Sequence, residues 1–214
     1  MTALKFNTPL EDILSREPLV LDLASGANAR RKKEQGRVTL DILDLPNIDI
    51  TCDLSTGFPF LPDNSVDEIY SNNSLEHIPD FLSLMDEIHR VLKPGGRKFL
   101  FVPHFSNPYY YSDPTHHNFF GLYTFYYFSD SQNDLHRKVP AFYFRRKYVV
   151  ERLVLHFTSP FRVINRLYRI IGWFVNHSRR TQEFYEHSLC WLIPCYGIEA
   201  VLRPAKDRIS TIGG

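Results

Sequence analysis

Short apolar runs that stop at acidic or small residues recur through the first half of the chain, separated by charged or proline-bounded stretches. Leu19-Val20-Leu21-Asp22-Leu23-Ala24 runs into the turn Ser25-Gly26-Ala27-Asn28, Arg37-Val38-Thr39-Leu40 ends at Asp41, and Ile48-Asp49-Ile50-Thr51-Cys52 ends at Asp53. Runs this short and this apolar read as strands buried on both faces, which belong to parallel sheets covered by helices. Val66-Asp67-Glu68-Ile69-Tyr70 predicts a further strand ending at Ser71-Asn72-Asn73-Ser74, and Lys98-Phe99-Leu100-Phe101-Val102 another ending at Pro103-His104.

The clearest helix follows Pro79. Phe81, Leu84, Met85, Ile88, Val91 and Leu92 recur at three- and four-residue intervals as one apolar stripe, and Lys93-Pro94-Gly95-Gly96 stops it. The first crossover, Asn28 to Gly36, is short and carries Arg30, Arg31, Lys32 and Lys33, so it offers about two helical turns. Its cations, like Arg145-Arg146-Lys147, read most simply as solvated faces, with an anionic acceptor as the functional alternative. Strand alternating with crossover is the pattern of an open α/β sandwich.

Beyond His104 the pattern changes. Asn107 to Asp130 is dense in Tyr and Phe, interleaved with Asp113, His116 and His117, too elaborate for a passive linker. Tyr148–Phe157 reads as a strand, Phe161–Val175 as a basic amphipathic helix, Glu183–Ile193 as another helix and Gly197–Leu202 as a last strand. Without a clear linker, residues 1–214 read as a single domain with an aromatic insertion at about 105–147 and a helical one at about 160–195.

Composition narrows the classes. With 43% hydrophobic and 23% charged residues the chain is globular, and 17 Phe and 12 Tyr exceed what a plain core requires. A formal charge of +1 argues against a protein that holds nucleic acid by its phosphates. Cys52, Cys190 and Cys195 lack paired metal-ligand spacing; their odd count and the absence of a signal-like start in Met1–Glu17 lead us to expect a soluble cytoplasmic protein. The arginines of Phe161–Val175 interrupt any membrane span. That helix is expected to lay its apolar side on the domain, peripheral membrane contact being the less favoured outcome. Oligomeric state is not legible.

In an open α/β sheet, ligands sit beyond the C-terminal strand ends where strand order reverses. Gly26, between Ser25 and Ala27, lets a ligand approach the backbone, and Asp41 at the next strand tip suits the hydroxyls of a ribose. Asp53 or Leu54, one strand further out, could border an adenine. The Gly-x-Gly-x-x-Gly fingerprint and the Gly-x-x-x-x-Gly-Lys-Ser/Thr loop are both absent, which disfavours a dinucleotide and nucleotide hydrolysis.

These residues, from about Leu19 to Phe128, resemble the class I S-adenosylmethionine-dependent methyltransferases. Val20-Leu21-Asp22-Leu23-Ala24-Ser25-Gly26 looks like the family's first motif, with Ala24 in place of its first glycine; Asp41, followed by Ile42, matches the ribose-binding acid; and Asp53-Leu54 matches the pair beside the adenine. Phe60-Leu61-Pro62-Asp63-Asn64-Ser65-Val66-Asp67, Ser74-Leu75-Glu76-His77-Ile78 and Glu87-Ile88-His89-Arg90-Val91-Leu92-Lys93-Pro94-Gly95-Gly96 follow in the family's order. The resemblance implies a Rossmann-like three-layer α/β sandwich on a seven-stranded, mostly parallel sheet of order 3-2-1-4-5-7-6 with an antiparallel last strand. It also implies S-adenosyl-L-methionine as cofactor, with Asn73 and Ser74 beside its methionine moiety.

Each residue also has a plainer role. Asp22 could tie together donors of the glycine turn, Asp53 could cap a loop, Asn73 could cap the next helix, and His77 could bond locally or pack under the cofactor. Ala24 is harmless if its φ is negative and obstructive if its methyl points at the cofactor. Methyl transfer needs a positioned, unprotonated nucleophile, so His116, His104 and Asp113 are the catalytic candidates, His116 as base ahead of His117. Clustering of these histidines with Asp113 as a metal site is not favoured, because adjacent His116 and His117 do not converge. The expected function is methyl transfer to oxygen or nitrogen of a small-molecule, sugar-derived or peptide acceptor. The alternative is an inactive binding or scaffold protein of the same fold.

Overall fold

The computed structural model describes residues 4–206. Leu21, Leu23, Val38, Leu40 and Ile69 are fully buried, as the continuous apolar runs require of inner strands. The strands are β1 (Lys5–Phe6), β2 (Val20–Leu23), β3 (Val38–Asp41), β4 (Ile50–Thr51), β5 (Val66–Asn72), β6 (Leu92–Pro103), β7 (Tyr148–His156) and β8 (Gly197–Pro204). They form one sheet in the order β1-β4-β3-β2-β5-β6-β8-β7. Pairings from β4 to β6 are parallel, and β8 runs antiparallel to both β6 and β7. With β1 set aside this is the expected order, with the last strand antiparallel. The correction is an eighth strand: exposed Lys5–Phe6 pairs antiparallel with β4 and is too short to show a periodicity.

Helices α1 (Leu10–Leu14), α2 (Ala29–Glu34), α3 (Phe81–Val91), α4 (Arg162–Val175) and α5 (Arg179–Ser188) supply the other layers. The first crossover is as short as expected, and no described helix joins β3 to β4. Asp80 caps α3 by accepting a hydrogen bond from Ser83 N at 3.0 Å, and the predicted apolar stripe is buried against the sheet. The stop after α3 departs from expectation. β6 already begins at Leu92, opposite Val66, and Lys93–Gly96 bulge out before Arg97 pairs with Glu68. A Cβ at Gly96 would stand 2.9 Å from Asp67 O, so glycine is required in this bulge.

The aromatic stretch holds only the single turns Tyr110–Ser112 and Thr124–Phe128. Phe120, Phe125 and Phe128 are buried, with Phe120 and Phe128 edge-on to Phe81 at 5.3 and 5.9 Å, so much of the aromatic excess builds core. α5 begins at Arg179, earlier than expected, because Ser178 and Thr181 form a capping box there. α4 meets its expectation only in part: Tyr168, Ile171 and Val175 pack on the core, but most of its large apolar side chains face solvent. The cations of α2 are also not a wholly solvated face, since Lys33 reaches the fully buried Asp49 at 2.6 Å.

His89 on α3 is 3% exposed, its Nε2 has no partner, and its ring stands edge-on to Tyr148 at 5.3 Å. Burial, then the positive charges of Lys206 and Arg146, depress its pKa to about 4 from an ordinary 6.5. Its contribution to stability is therefore complete above pH 6.5 and is lost as pH falls toward 4. The buried Glu76 carboxyl, raised to about 7 by burial, runs the opposite way and masks this in the unmodified chain. Relative to wild type, His89→Phe should gain about 2 kcal/mol between pH 6.5 and pH 5 in urea unfolding. A pH-independent difference would contradict the assignment.

Candidate functional site

The parallel strands bring the ends of β2, β3, β5 and β6 to one edge, where most of the candidate residues meet. After β2, Ala24 and Gly26 both take left-handed backbone, with φ of 51° and 56°. The negative φ that would make Ala24 harmless is thus not adopted, at a cost of about 1–2 kcal/mol for a residue with a Cβ. Its side chain packs against the hydrophobic core. A Cβ at Gly26 would meet nothing within 4 Å, so this backbone borders open space.

Asp22 and Asp41 hold the turn from two sides. Asp22 is 2% exposed and accepts from Ser25 Oγ at 3.0 Å and Arg37 at 2.9 Å, with Lys32 Nζ at 2.6 Å. Its role is to organise the turn. Asp41 accepts from Gly26 N at 2.8 Å through Oδ2 and from Leu43 N at 2.9 Å through Oδ1. Each oxygen retains a lone pair for a further donor. Beside it Ile42 is half exposed, an unpaid apolar surface at the strand tip. Asp53 caps the turn Leu54–Thr56 by accepting from Ser55 N at 2.9 Å, and the Leu54 side chain lies in the core, leaving only its backbone for a ligand.

At the end of β5, Asn73 has a φ of 47° and donates its N–H to Phe101 O at 2.9 Å. Next to it the buried Ser74 Oγ and Glu76 Oε2 have no hydrogen-bond partner. Orphaned buried polar atoms beside an open glycine turn and an acidic strand tip fit a ligand with a hydroxyl-rich ribose and a polar amino-acid end. Gly26, Asp41, Ile42, Asn73 and Ser74 all stand at the ends of the neighbouring strands β2, β3 and β5.

A cavity of about 200 Å³ opens in front of this edge, bordered by Asn73 and Pro103 at the strand ends and by Tyr109, Tyr110 and Tyr196. Glu76, His77, Asp113 and His116 also line it. The His116 Nδ1–H donates to Tyr110 O at 2.8 Å, which leaves the Nε2 lone pair of the neutral ring free, 3.8 Å from Asp113 Oδ2. Thr115 Oγ1 donates to Asp113 Oδ1 at 2.6 Å and so accepts from His77 Nδ1 at 2.9 Å. That leaves His77 Nε2 bare as well, 4.0 Å from Glu76 Oε1. The two rings meet edge-on at 4.8 Å.

Glu76 is 1% exposed; burial, reinforced by the charge of Asp113, raises its pKa to about 7. Ligand atoms of Glu76, His77 and His116 lie within 4.8 Å of one another.

Other candidates lie elsewhere. His104 at the end of β6 is fully buried; its Nδ1 accepts from Ser106 N at 3.1 Å and its Nε2 faces Glu186 at 3.2 Å. It does not line the cavity. His117 is exposed on a separate aromatic groove. A larger cavity, about 580 Å³, lies between the aromatic stretch and α5. Its Glu183 carboxylate is already engaged by Tyr123 OH and by the N–H groups of His136 and Arg137. The chemistry therefore favours the smaller cavity.

Glu76 carries no assigned role in the sequence reading, although the acid–histidine pair after a strand end was its visible signal. Asn118 is equally silent there. Its side chain donates to Leu75 O at 3.0 Å and Ile78 O at 2.6 Å, and the Glu76 carbonyl accepts from His117 N at 2.7 Å. These bonds pin the aromatic stretch over the end of β5.

A methyltransferase-domain model matches residues 16–100. Demethylmenaquinone methyltransferase from Listeria welshimeri is 37% identical over 62 residues, 29% of this chain and 26% of that protein. The enzyme of the same name from Staphylococcus epidermidis is 44% identical over 52 residues, 24% of this chain and 21% of that protein. The chain thus spans about a quarter of the length of the curated relatives it matches. Over 92% of this chain and 96% of the other, the fold is similar to that of a SAM-dependent methyltransferase from Archaeoglobus fulgidus, with a TM-score of 0.51 and 15% identity. The ordered motifs, the strand order and the open edge of the sheet agree with these likenesses: residues 16–100 are similar to a methyltransferase domain, and the chain has the fold of an S-adenosylmethionine-dependent methyltransferase.

Proposed function

We propose that residues 1–214 act as one domain that transfers a methyl group from S-adenosylmethionine to an oxygen or nitrogen of a small-molecule, sugar-derived or peptide acceptor. The observation that carries this reading is the convergence of His116, His77 and Glu76 on a cavity beside Asn73 and Ser74. The cofactor supplies an electrophilic sulfonium methyl. Asp41, which accepts from Gly26 N, would also accept from the ribose hydroxyls, and Ser74 and Asn73 would hold the amino-acid end. His116 Nε2 takes the proton from the acceptor as it attacks, and Asp113 at 3.8 Å offsets the resulting charge. Tyr109, Tyr110 and Tyr196 hold the acceptor and exclude water.

The acceptor of the demethylmenaquinone methyltransferases is not carried over, because the likeness to them spans only 62 and 52 residues of this chain. Cys52, Cys190 and Cys195 are free and buried, which suits the cytoplasmic location we assign.

Asp41→Ala should weaken cofactor binding by about 2–4 kcal/mol, or ~30- to 1000-fold, in calorimetric titration of a folded sample. A loss under about threefold would contradict the ribose role. His116→Gln should lower the single-turnover rate by about 10²–10⁴ with cofactor affinity unchanged, while His117→Gln does little. An unaltered rate in His116→Gln would overturn the base assignment.

The chemical step should also rise with pH through about 7, as ionising Glu76 stabilises a proton arriving on the neighbouring histidines. Glu76→Gln should lower the rate on the alkaline side of that rise, where the unmodified chain carries the carboxylate. An alkaline rate unchanged in the variant would contradict the role of Glu76.

A further inference from the structure

No described helix is long and apolar enough to cross a membrane, yet α4 presents an apolar strip to solvent. Val163, Leu167, Ile170 and Phe174 recur at three- and four-residue steps and are 52–85% exposed. Tyr168, Ile171, Gly172 and Val175, on another side of the helix, are the positions that turn toward the domain. Exposed Arg162, Arg166 and Arg169 form a second strip beside the apolar one, with exposed Trp173 among them. The helix contains no acidic residue, and Arg179 and Arg180 follow it.

We propose that α4 docks the protein onto an anionic phospholipid surface. The apolar strip enters the boundary between headgroups and acyl chains, the arginines meet lipid phosphates and carboxylates, and Trp173 sits at headgroup level. The charge pattern is what selects this occupant. Two-fold pairing of the same face with a second copy would bring two sets of arginines together with no acid in the helix to offset them. An anionic surface complements both strips at once.

Beside the docking face, the N-terminal half of α4 borders a groove that leads toward the catalytic cavity. A groove of about 230 Å³ starts at Phe161, Ile164 and Tyr168 and is also lined by Tyr109 and Tyr196, which border the cavity in front of His116. The geometry therefore suits an acceptor that stays in the membrane by an apolar portion while its polar group reaches His116. This consequence for the acceptor rests on the methyl-transfer reading, whereas docking does not.

The full chain should co-sediment with vesicles of phosphatidylcholine and phosphatidylserine and much less with phosphatidylcholine alone. Leu167→Asp with Ile170→Asp should lower the partition coefficient more than tenfold, and each of Arg162→Gln, Arg166→Gln and Arg169→Gln about fivefold. These positions are solvent-exposed, so unchanged circular dichroism and S-adenosylmethionine affinity should accompany the loss. Equal partitioning of wild type and the double variant would overturn the proposal. So would binding indifferent to phosphatidylserine, or a dimer in sedimentation that the double variant dissociates in place of any vesicle binding. Vesicle binding without methyl transfer would sustain docking while refuting the catalytic reading.

Discussion

A carboxylate buried as deeply as Asp22 is tolerated only where cations and donors surround it, and much of the site follows from how this chain meets that need. Lys32 reaches it from the middle of a shortened crossover and Arg37 from its end, and Ser25 closes the turn from within. Arg37 lies over the Tyr70 ring at 3.7 Å, so the same guanidinium ties β2 and β3 to β5. Lys98 on β6, fully buried and bonded to Ser71 Oγ at 2.6 Å, faces the same charge; burial lowers its pKa well below the ordinary value and Asp22 opposes that. Removing one partner would leave the other charges buried and uncompensated, at a cost of about 3–5 kcal/mol. The left-handed turn at Ala24 and Gly26 is held open by this network, and the cofactor edge depends on it.

The strand ends were legible because a strand buried on both faces has no freedom to look like anything else. β2, β3 and β6 each carry a short, mostly apolar run, and Asp41 had few structural reasons to stand at a strand tip. What escaped has a common physical origin. β1 has two residues and no buried side chain, so it leaves no pattern. Pro94-Gly95-Gly96 signals a break in any helix, but only register against β5 distinguishes a loop from a bulge within a strand. The cations of α2 look solvated until the fold brings Asp22 and Asp49 to them. α4 was expected to lie on the domain because an amphipathic pattern reports that a face must be covered and is silent about what covers it.

The catalytic side of the site depends on contacts that sequence spacing cannot show. Glu76 and His116 are forty residues apart, and they meet because Asn118 grips the turn Leu75–Ile78 from the far end of the aromatic stretch. The same stretch explains the excess of rings: Phe120, Phe125 and Phe128 repair the core, whereas Tyr109 and Tyr110 face the cavity. His116 lines the cavity and His117 does not, while nothing in the sequence shows that His104 is sealed between Ser106 and Glu186.

The most direct test of the account is a crystal structure with S-adenosylhomocysteine bound. The account places the ribose against Asp41, the amino-acid end at Asn73 and Ser74, and the sulfur facing the cavity lined by Glu76, His77 and His116. A thioether directed instead toward the large cavity beside Glu183 and Glu186, or a ribose out of reach of Asp41, would contradict it.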